Sequence, residues 1–204
     1  MGLQDGAPKF PFLFCGKIHL LLTWSNRLKE FLRKTYWLVI VAVVIVLVDQ
    51  YTKWLVISNI PYGGYWSPWE WLTPIARIVH WSNTGVAFGM LQGMNPVFII
   101  LAFVVAGMII FYYPKLEKED WMLKLALMLE LGGAVGNLFD RIKFGHVIDF
   151  ISVGNFPVFN VADSCITVGV IILLIGVWVQ EKREKARKIE AAQSHTLNGD
   201  TVEQ

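Results

Sequence analysis

Charged residues are scarce in this sequence. Of its 204 residues, 17% are charged and 55% are hydrophobic, and the mean hydropathy is +0.50, whereas a soluble domain carries about 25% charged residues. The net charge is only +2, and no stripe of basic residues interleaved with aromatic ones indicates a nucleic-acid partner. The composition therefore excludes an ordinary soluble domain and indicates lipid as the solvent.

Several groups that carry enzyme chemistry are also missing. The only two cysteines are Cys15, expected in the cytoplasm, and Cys165, expected inside the membrane, so no disulfide is predicted. There is no glycine-rich phosphate loop, and Ser164 has no histidine at a recognisable spacing. His146 and Asp149 would make two metal ligands, but no third is evident. We expect neither a metal nor a cofactor.

Long apolar runs, in contrast, are abundant. A membrane-spanning helix needs about 20 mostly apolar residues, and the sequence has four such runs, the third interrupted by Lys124 and Glu130. They cover approximately residues 36–57, 96–113, 121–139 and 161–179. The first is too long for a cleaved signal peptide and no small-residue cleavage site follows it, so it is expected to remain as an anchor. The sequence predicts a mainly α membrane protein with four transmembrane helices.

The basic residues predict how the chain crosses the membrane. Fourteen of the 18 lysines and arginines lie before the first run, near the link between the second and third, or after the fourth. Cytoplasmic segments carry the excess of positive charge. Both termini are therefore expected in the cytoplasm, with the connections 58–95 and 140–160 facing outward.

Three regions follow from this topology. Residues 1–35 form a cytoplasmic extension, either an amphipathic segment on the membrane surface or, as we expect, a poorly ordered one. Residues 36–180 form the four-helix domain. Residues 181–204 form a charged cytoplasmic tail, which is expected to be disordered because it is strongly polar.

The outward connections predict a small β-sheet at the membrane surface. The stretch ARIVHWSN (76–83) has the β-branched and aromatic content of a strand. Segments 146–153 and 156–161 flank Gly154-Asn155, a pair suited to a two-residue hairpin turn. In that register Asp149 lies opposite Asn160, and Asp163 follows within one helical turn. The many tryptophans of 59–95 equally fit a belt that only anchors the bundle.

Ionisable residues cluster at the outward ends of the spans, where they are costly and usually functional. Asp49 and Lys53 are spaced to form an ion pair on one helix face, and Arg141 is placed to neutralise Asp140 or Asp149. Gly132, Gly133 and Gly136 permit close helix approach. Taken singly, Asp149 has a structural explanation in pairing with Arg141, and Asp163 has one in the helix dipole.

Together, Asp149 and Asp163 predict an aspartic dyad. Two carboxyl groups in contact share one proton, so that the charged one deprotonates water while the protonated one polarises a carbonyl. Two other functions stay open: a proton or ion carrier that uses the same carboxylates as a relay, and a lipid-binding scaffold without turnover. A carrier needs polar residues through the whole bilayer, whereas this sequence has them mainly at the outward ends.

Five ordered motifs also resemble a known family. They are VDQYTK (48–53), NTGVAFG (83–89), GGAVGNLFDR (132–141), GHVIDF (145–150) and FNVADS (159–164). In this order they resemble the lipoprotein signal peptidases, also called signal peptidase II, over about residues 36–180. That family consists of four-helix inner-membrane aspartyl proteases with a small surface sheet and an outward-facing active site, without a metal. The resemblance implies a membrane aspartic endopeptidase that removes signal peptides from diacylglyceryl-modified prolipoproteins, cleaving before the lipidated cysteine.

The resemblance also assigns residues and partners. Asp149 and Asp163 match the catalytic pair. The positions that match residues shaping or supporting the site are Asp49, Asn83, Gly85, Asn137, Asp140, Arg141, Asn160 and Ala162, to which we add Lys53 as the partner of Asp49. The expected partners are prolipoprotein substrates and membrane lipids, with no nucleic acid, and the chain is expected to act as a monomer.

Overall fold

The fold is mainly helical with one small sheet. A computed structural model describes residues 12–85 and 93–199. In these residues the helices are α1 (Phe12–Asn59), α2 (Asn95–Tyr112), α3 (Trp121–Phe144) and α4 (Val161–Gly199). The strands are β1 (Tyr65–Trp66), β2 (Ala76–Asn83) and β3 (Val147–Val153). Each helix contains a stretch long and apolar enough to cross a membrane, which confirms the prediction of four such helices.

Helix α3 is longer than predicted. It continues past residue 139 to Phe144 and ends where Gly145 adopts a left-handed conformation (φ 78°) and its N–H bonds to the Arg141 carbonyl, a common helix end. Arg141 and Lys143 therefore lie in the last turn of α3. The predicted boundary at residue 140 is wrong, and the connection to α4 begins at Gly145.

The two polar ends of the chain are more helical than predicted. Helix α1 already begins at Phe12, and α4 continues through the charged tail to Gly199. The expectation of poorly ordered segments is wrong for residues 12–35 and 181–199. Neither Gly nor Pro occurs in 17–60 or in 177–198, and both polar stretches are rich in Leu, Lys, Glu, Arg or Ala, which are strong helix formers.

The chain divides into two compact units, Met1–Tyr36 and Trp37–Gln204. In the first unit, Glu30 and Lys34 form an exposed ion pair 3.0 Å apart, and the Thr35 hydroxyl donates to the Phe31 carbonyl. All residues of the candidate site belong to the second unit.

Three glycines on α3 allow its neighbours to approach closely. A Cβ at Gly132 would lie 2.7 Å from the Cβ of Ile45 on α1, and one at Gly133 would lie 2.5 Å from the Ala162 carbonyl oxygen on α4. A Cβ at Gly136 would lie 2.9 Å from Asp49 Oδ2. The prediction that these glycines permit close helix approach is confirmed.

The sheet is antiparallel, with strand order β1-β2-β3. Strand β2 coincides with the predicted strand 76–83. Its register with β3 shifts by one residue between Ile78 and Trp81, so that Ile78 pairs with Ile151 while Trp81 pairs with Asp149. Because side chains alternate between the two faces of a strand, this bulge places Asn83 on the same face as Asp149.

The predicted hairpin is wrong in its main pairing. Strand β3 pairs with β2, and the segment after the turn at Gly154 forms only an isolated bridge between Phe159 and Ile151. Pro157 has no N–H to donate to a strand ladder, which limits pairing of that segment. The bridge nevertheless returns the chain to a position from which Asn160 bonds to Asp149.

A buried cation joins α1 to α3. Lys53 Nζ lies 2.8 Å from Asp49 Oδ2 and 2.7 Å from Asp140 Oδ2, and the three residues are at most 1% exposed. The predicted Asp49–Lys53 pair is thus confirmed, and Lys53 rather than Arg141 neutralises Asp140. Gln50 Nε2 donates to Asp140 Oδ1 at 2.9 Å and so completes this buried group.

We expect Lys53→Met to destabilise the protein strongly. Removing one partner of a buried ionic group leaves uncompensated charge and costs about 3–5 kcal/mol. Thermal unfolding in detergent measures the effect, and Lys34→Met, which removes a lysine from the exposed pair with Glu30, is the matched control. Equal unfolding midpoints for the two variants would contradict this account.

Candidate active site

A cavity of about 500 Å³ lies where α2, α3 and α4 meet the sheet. Asp149 and Asp163 both line it, together with Asn83, Asn137 and Arg141. The remaining wall is largely apolar and comes from Phe98, Val147, Val168 and the segment 156–159. The cavity therefore presents two carboxyl groups to a bound molecule within a mostly apolar enclosure.

Asp149 is held by two side-chain amides. It lies in β3 and is 1% exposed. Asn160 Nδ2 donates to its Oδ1 at 2.7 Å, and Asn83 Nδ2 donates to its Oδ2 at 3.0 Å. Asn83 reaches it diagonally across the sheet from β2, and the Gly85 N–H donates to Asn83 Oδ1 at 3.0 Å, which leaves the amide N–H₂ of Asn83 facing the carboxylate.

Asp163 belongs to the first turn of α4. Its N–H donates to Asn160 Oδ1 at 2.9 Å, while its Oδ2 accepts from the Asn160 N–H at 3.3 Å. This reciprocal pair is a capping box, in which an N-cap side chain and the third helical residue satisfy each other's backbone N–H. The other carboxylate oxygen, Oδ1, accepts from Asn137 Nδ2 at 2.7 Å.

Two asparagines connect the carboxyl groups. Asn137 Oδ1 accepts from both Lys53 Nζ, at 3.2 Å, and Asn160 Nδ2, at 3.1 Å. Lysine has donors only, so the oxygen of Asn137 must face Lys53 and its nitrogen must face Asp163. Asn160 in turn contacts Asp149 through its nitrogen and Asp163 through its oxygen and backbone. The two aspartates thus belong to one hydrogen-bond network with fixed amide orientations.

The environment of Asp149 favours its protonated form. Burial is the main cause that raises its pKa to about 7, and the nearby charge of Asp163 acts in the same direction. The hydrogen bonds from Asn83 and Asn160 and the positive charge of Lys53 oppose the shift in pKa. A carboxyl group in this state is partly protonated at neutral pH, and its protonated form can donate a proton to a substrate.

Arg141 does not pair with a carboxylate in the described part of the chain. Its guanidinium carbon lies 5.0 Å from the centre of the Phe98 ring, and the predicted ion pair with Asp140 or Asp149 is wrong. Lys53 forms the ion pair with Asp140 instead, and two side-chain amides donate hydrogen bonds to Asp149. The side chain of Arg141 lines the cavity and has donors for a bound molecule.

The residues singled out from the sequence lie in two layers of one region. Asn83, Gly85, Asn137, Arg141, Asp149 and Asp163 line the cavity. Asn160 and Ala162 are fully buried beside it, and Asp49, Lys53 and Asp140 lie beneath. Of the NTGVAFG motif, residues 86–89 fall outside the described residues.

Sequence reasoning missed several contributors. Gln50 lies next to Asp49 in the motif VDQYTK, and this position was the only feature of the sequence that indicated a role in the site. Phe98, under the Arg141 guanidinium, and the Phe156 and Phe159 rings, packed edge to face at 5.8 Å, have no signal because apolar residues of this kind occur throughout a membrane protein. Within residues 12–85 and 93–199, no group of three or more His, Cys, Asp or Glu side chains is placed to hold a metal ion.

Comparison with known proteins agrees with this geometry. A family profile described as "Signal peptidase (SPase) II" matches residues 41–179. A protein named lipoprotein signal peptidase from Shouchella clausii is 40% identical over 150 residues, which cover 72% of this chain and 95% of that protein. One of the same name from Halalkalibacterium halodurans is 41% identical over 153 residues, covering 73% and 96%.

The fold has solved counterparts as well. A structure described as a bacterial membrane enzyme superposes with a TM-score of 0.66 at 29% identity, covering 72% of this chain and 90% of that one. The profile covers the part of the chain that carries the buried ionic group and the cavity. This chain belongs to the signal peptidase II family.

Proposed function

We propose that Asp149 and Asp163 are the catalytic pair of a membrane aspartic endopeptidase. Its substrates are diacylglyceryl-modified prolipoproteins, from which it removes the signal peptide by cleaving before the lipidated cysteine. The observation that carries the proposal is the convergence of both carboxyl groups on one cavity, with Asn160 hydrogen-bonded to each of them. The names of the relatives support the substrate class.

The surroundings suggest a role for each aspartate. Asp163 stands at the N-terminus of α4, where the helix dipole stabilises an anion, so it acts as the base. Asp149 holds the proton that is donated. Asp163 takes a proton from water as the water oxygen attacks the scissile carbonyl carbon, and Asp149 donates its proton to the carbonyl oxygen. As the tetrahedral intermediate collapses, one of its hydroxyl groups returns a proton to Asp149 and re-forms the carbonyl. The C–N bond breaks, and the proton on Asp163 passes to the leaving nitrogen.

The proposed setting is the bacterial inner membrane. The excess of basic residues supports a topology with both chain termini in the cytoplasm, in which the sheet and the two aspartates lie near the outward face. An acyl-linked cysteine keeps its chains in the outer half of the bilayer, and its scissile bond is then held near the same depth. The apolar wall of the cavity fits a substrate that arrives from lipid.

We expect Asp149→Asn and Asp163→Asn each to lower kcat about 10²- to 10⁴-fold, because general acid–base catalysis contributes a factor of this order. Cleavage of a diacylated prolipoprotein by purified protein in lipid is the measurement. Asp120→Asn, at the other end of α3, is the matched control and leaves activity unchanged. Thermal unfolding establishes that the inactive variants are folded. Normal processing by either variant would contradict the assignment.

Activity should also fall on the alkaline side of neutrality. The pKa of Asp149 is raised to about 7, so its proton is lost as the pH rises through that value, and kcat/KM then declines roughly tenfold per pH unit. Asn83→Ala removes a hydrogen bond that lowers the pKa of Asp149, so the decline moves to higher pH. Asn59→Ala is the control. A profile unchanged between pH 7 and 9, or one displaced to lower pH by Asn83→Ala, argues against the proposal.

A further inference from the structure

A second cavity, of about 300 Å³, lies along the same three helices as the first. Helix α2 contributes Val105 and Met108, α3 contributes Leu127 and Glu130, and α4 contributes Leu173, among others. The first cavity has residues of these same helices in its wall. The second cavity, which we call the α2–α4 groove, shares no lining residue with the first but lies farther along the same helices.

Helix α3 is the floor of this groove. Leu127 and Glu130 line the second cavity, and Asn137 and Arg141 line the first. Successive spacings of three, seven and four residues keep these side chains on one face of a helix. The α2–α4 groove and the catalytic cavity therefore lie on one face of α3, with the groove nearer the opposite end of the bundle.

Glu130 is the only acidic side chain among the described residues of the second cavity. Its Oε1 is buried and has no hydrogen-bond partner in the described part of the chain. On α4, a Cβ at Gly169 would lie 2.9 Å from Glu130 Cγ, so the absence of a side chain at 169 makes room for the glutamate. A buried polar group without a partner costs free energy, and this one belongs to a residue that lines the second cavity.

The depth of Glu130 can be compared with that of the catalytic pair. Glu130 precedes Asn137 by seven residues on α3, and Gly169 follows Asp163 by six on α4. At 1.5 Å per helical residue, the carboxyl group of Glu130 lies about 10 Å farther along the bundle than the aspartates.

At this depth a bound signal peptide has backbone carbonyl groups that require hydrogen-bond donors. Three extended residues beside the scissile bond span about 10 Å, whereas the apolar part of the peptide must be helical where lipid surrounds it. The helix then ends about 10 Å from the aspartates, and its last four carbonyl groups lack helical partners. As a neutral carboxylic acid, Glu130 has one O–H to donate to such a carbonyl.

We propose that the α2–α4 groove binds the apolar helix of the signal peptide and that Glu130 donates a hydrogen bond to a carbonyl at the end of that helix. This inference rests on the proposed function and adds to it a second point of substrate recognition. The position of the groove and the catalytic cavity on one face of α3 favours a peptide over a free lipid, because only the peptide must reach both.

Photocrosslinking tests where the peptide lies. A photoreactive benzoylphenylalanine replaces Met108 in the groove or, as control, Val44, which is exposed on α1 next to the Ile45 that packs at Gly132. Both are placed in the Asp163→Asn background with a diacylated prolipoprotein in vesicles. We expect crosslinks to the substrate from position 108 and none from 44. Crosslinks from 108 to lipid alone, while the protein without the Asp163→Asn change cleaves the same substrate, overturn this inference and leave the proposed function intact.

Steady-state kinetics test Glu130 itself. Glu130→Leu removes the donor and should raise KM for the prolipoprotein about three- to tenfold with little change in kcat, since one hydrogen bond is lost in ground and transition states alike. Glu130→Gln retains a donor and should keep KM within about twofold of the original. Unchanged KM in Glu130→Leu, or an equal rise in both variants, overturns the role of Glu130. Loss of cleavage by the unsubstituted protein would instead refute the proposed function.

Discussion

The buried positive charge of Lys53 is the interaction on which the arrangement of the site depends. It holds Asp49 and Asp140 in place, and each of these carboxylates accepts from a backbone N–H of another element. Asp49 accepts from Ala162, directly before Asp163, and Asp140 accepts from Ile148, directly before Asp149. One cation thus fixes the backbone next to both proposed catalytic residues, and α1, α3, β3 and α4 meet at this point.

A second consequence of Lys53 is the orientation of the amides above it. Because Lys53 donates to the Asn137 oxygen, Asn137 presents its nitrogen to Asp163, and Asn160 can bond to both aspartates only in one orientation. Groups held in this way need no rearrangement when charge develops during a reaction, which is the main electrostatic advantage of an enzyme site. The buried charge of Lys53 therefore both stabilises the bundle and fixes the orientation of the polar groups in the site.

Much of this arrangement could be predicted from the sequence, and the failures have identifiable causes. The four spans, the strand 76–83 and the Asp49–Lys53 pair follow from local patterns of hydropathy, β-branched residues and helical spacing. The one-residue bulge in β2 has no local signature, although it alone brings Asn83 to the face of Asp149. The choice of β2 as the partner of β3 is a long-range one, and the nearby hairpin signal at Gly154-Asn155 misled the prediction. The charged ends of α1 and α4 were predicted to be poorly ordered because they are polar. Their strong helix-forming residues make them helical instead.

The central claim is that Asp149 and Asp163 are coupled by their charges within one network. The most direct test is a ¹³C NMR titration of the aspartate carboxyl groups in lipid, with Asp149→Asn used to assign the Asp149 signal. The account predicts that Asp149 titrates near pH 7, as its raised pKa of about 7 requires. It also predicts that Asp163→Asn lowers this value, because a neighbouring negative charge is removed. An Asp149 that titrates near pH 4, as an ordinary aspartate does, and is unaffected by Asp163→Asn would contradict the account.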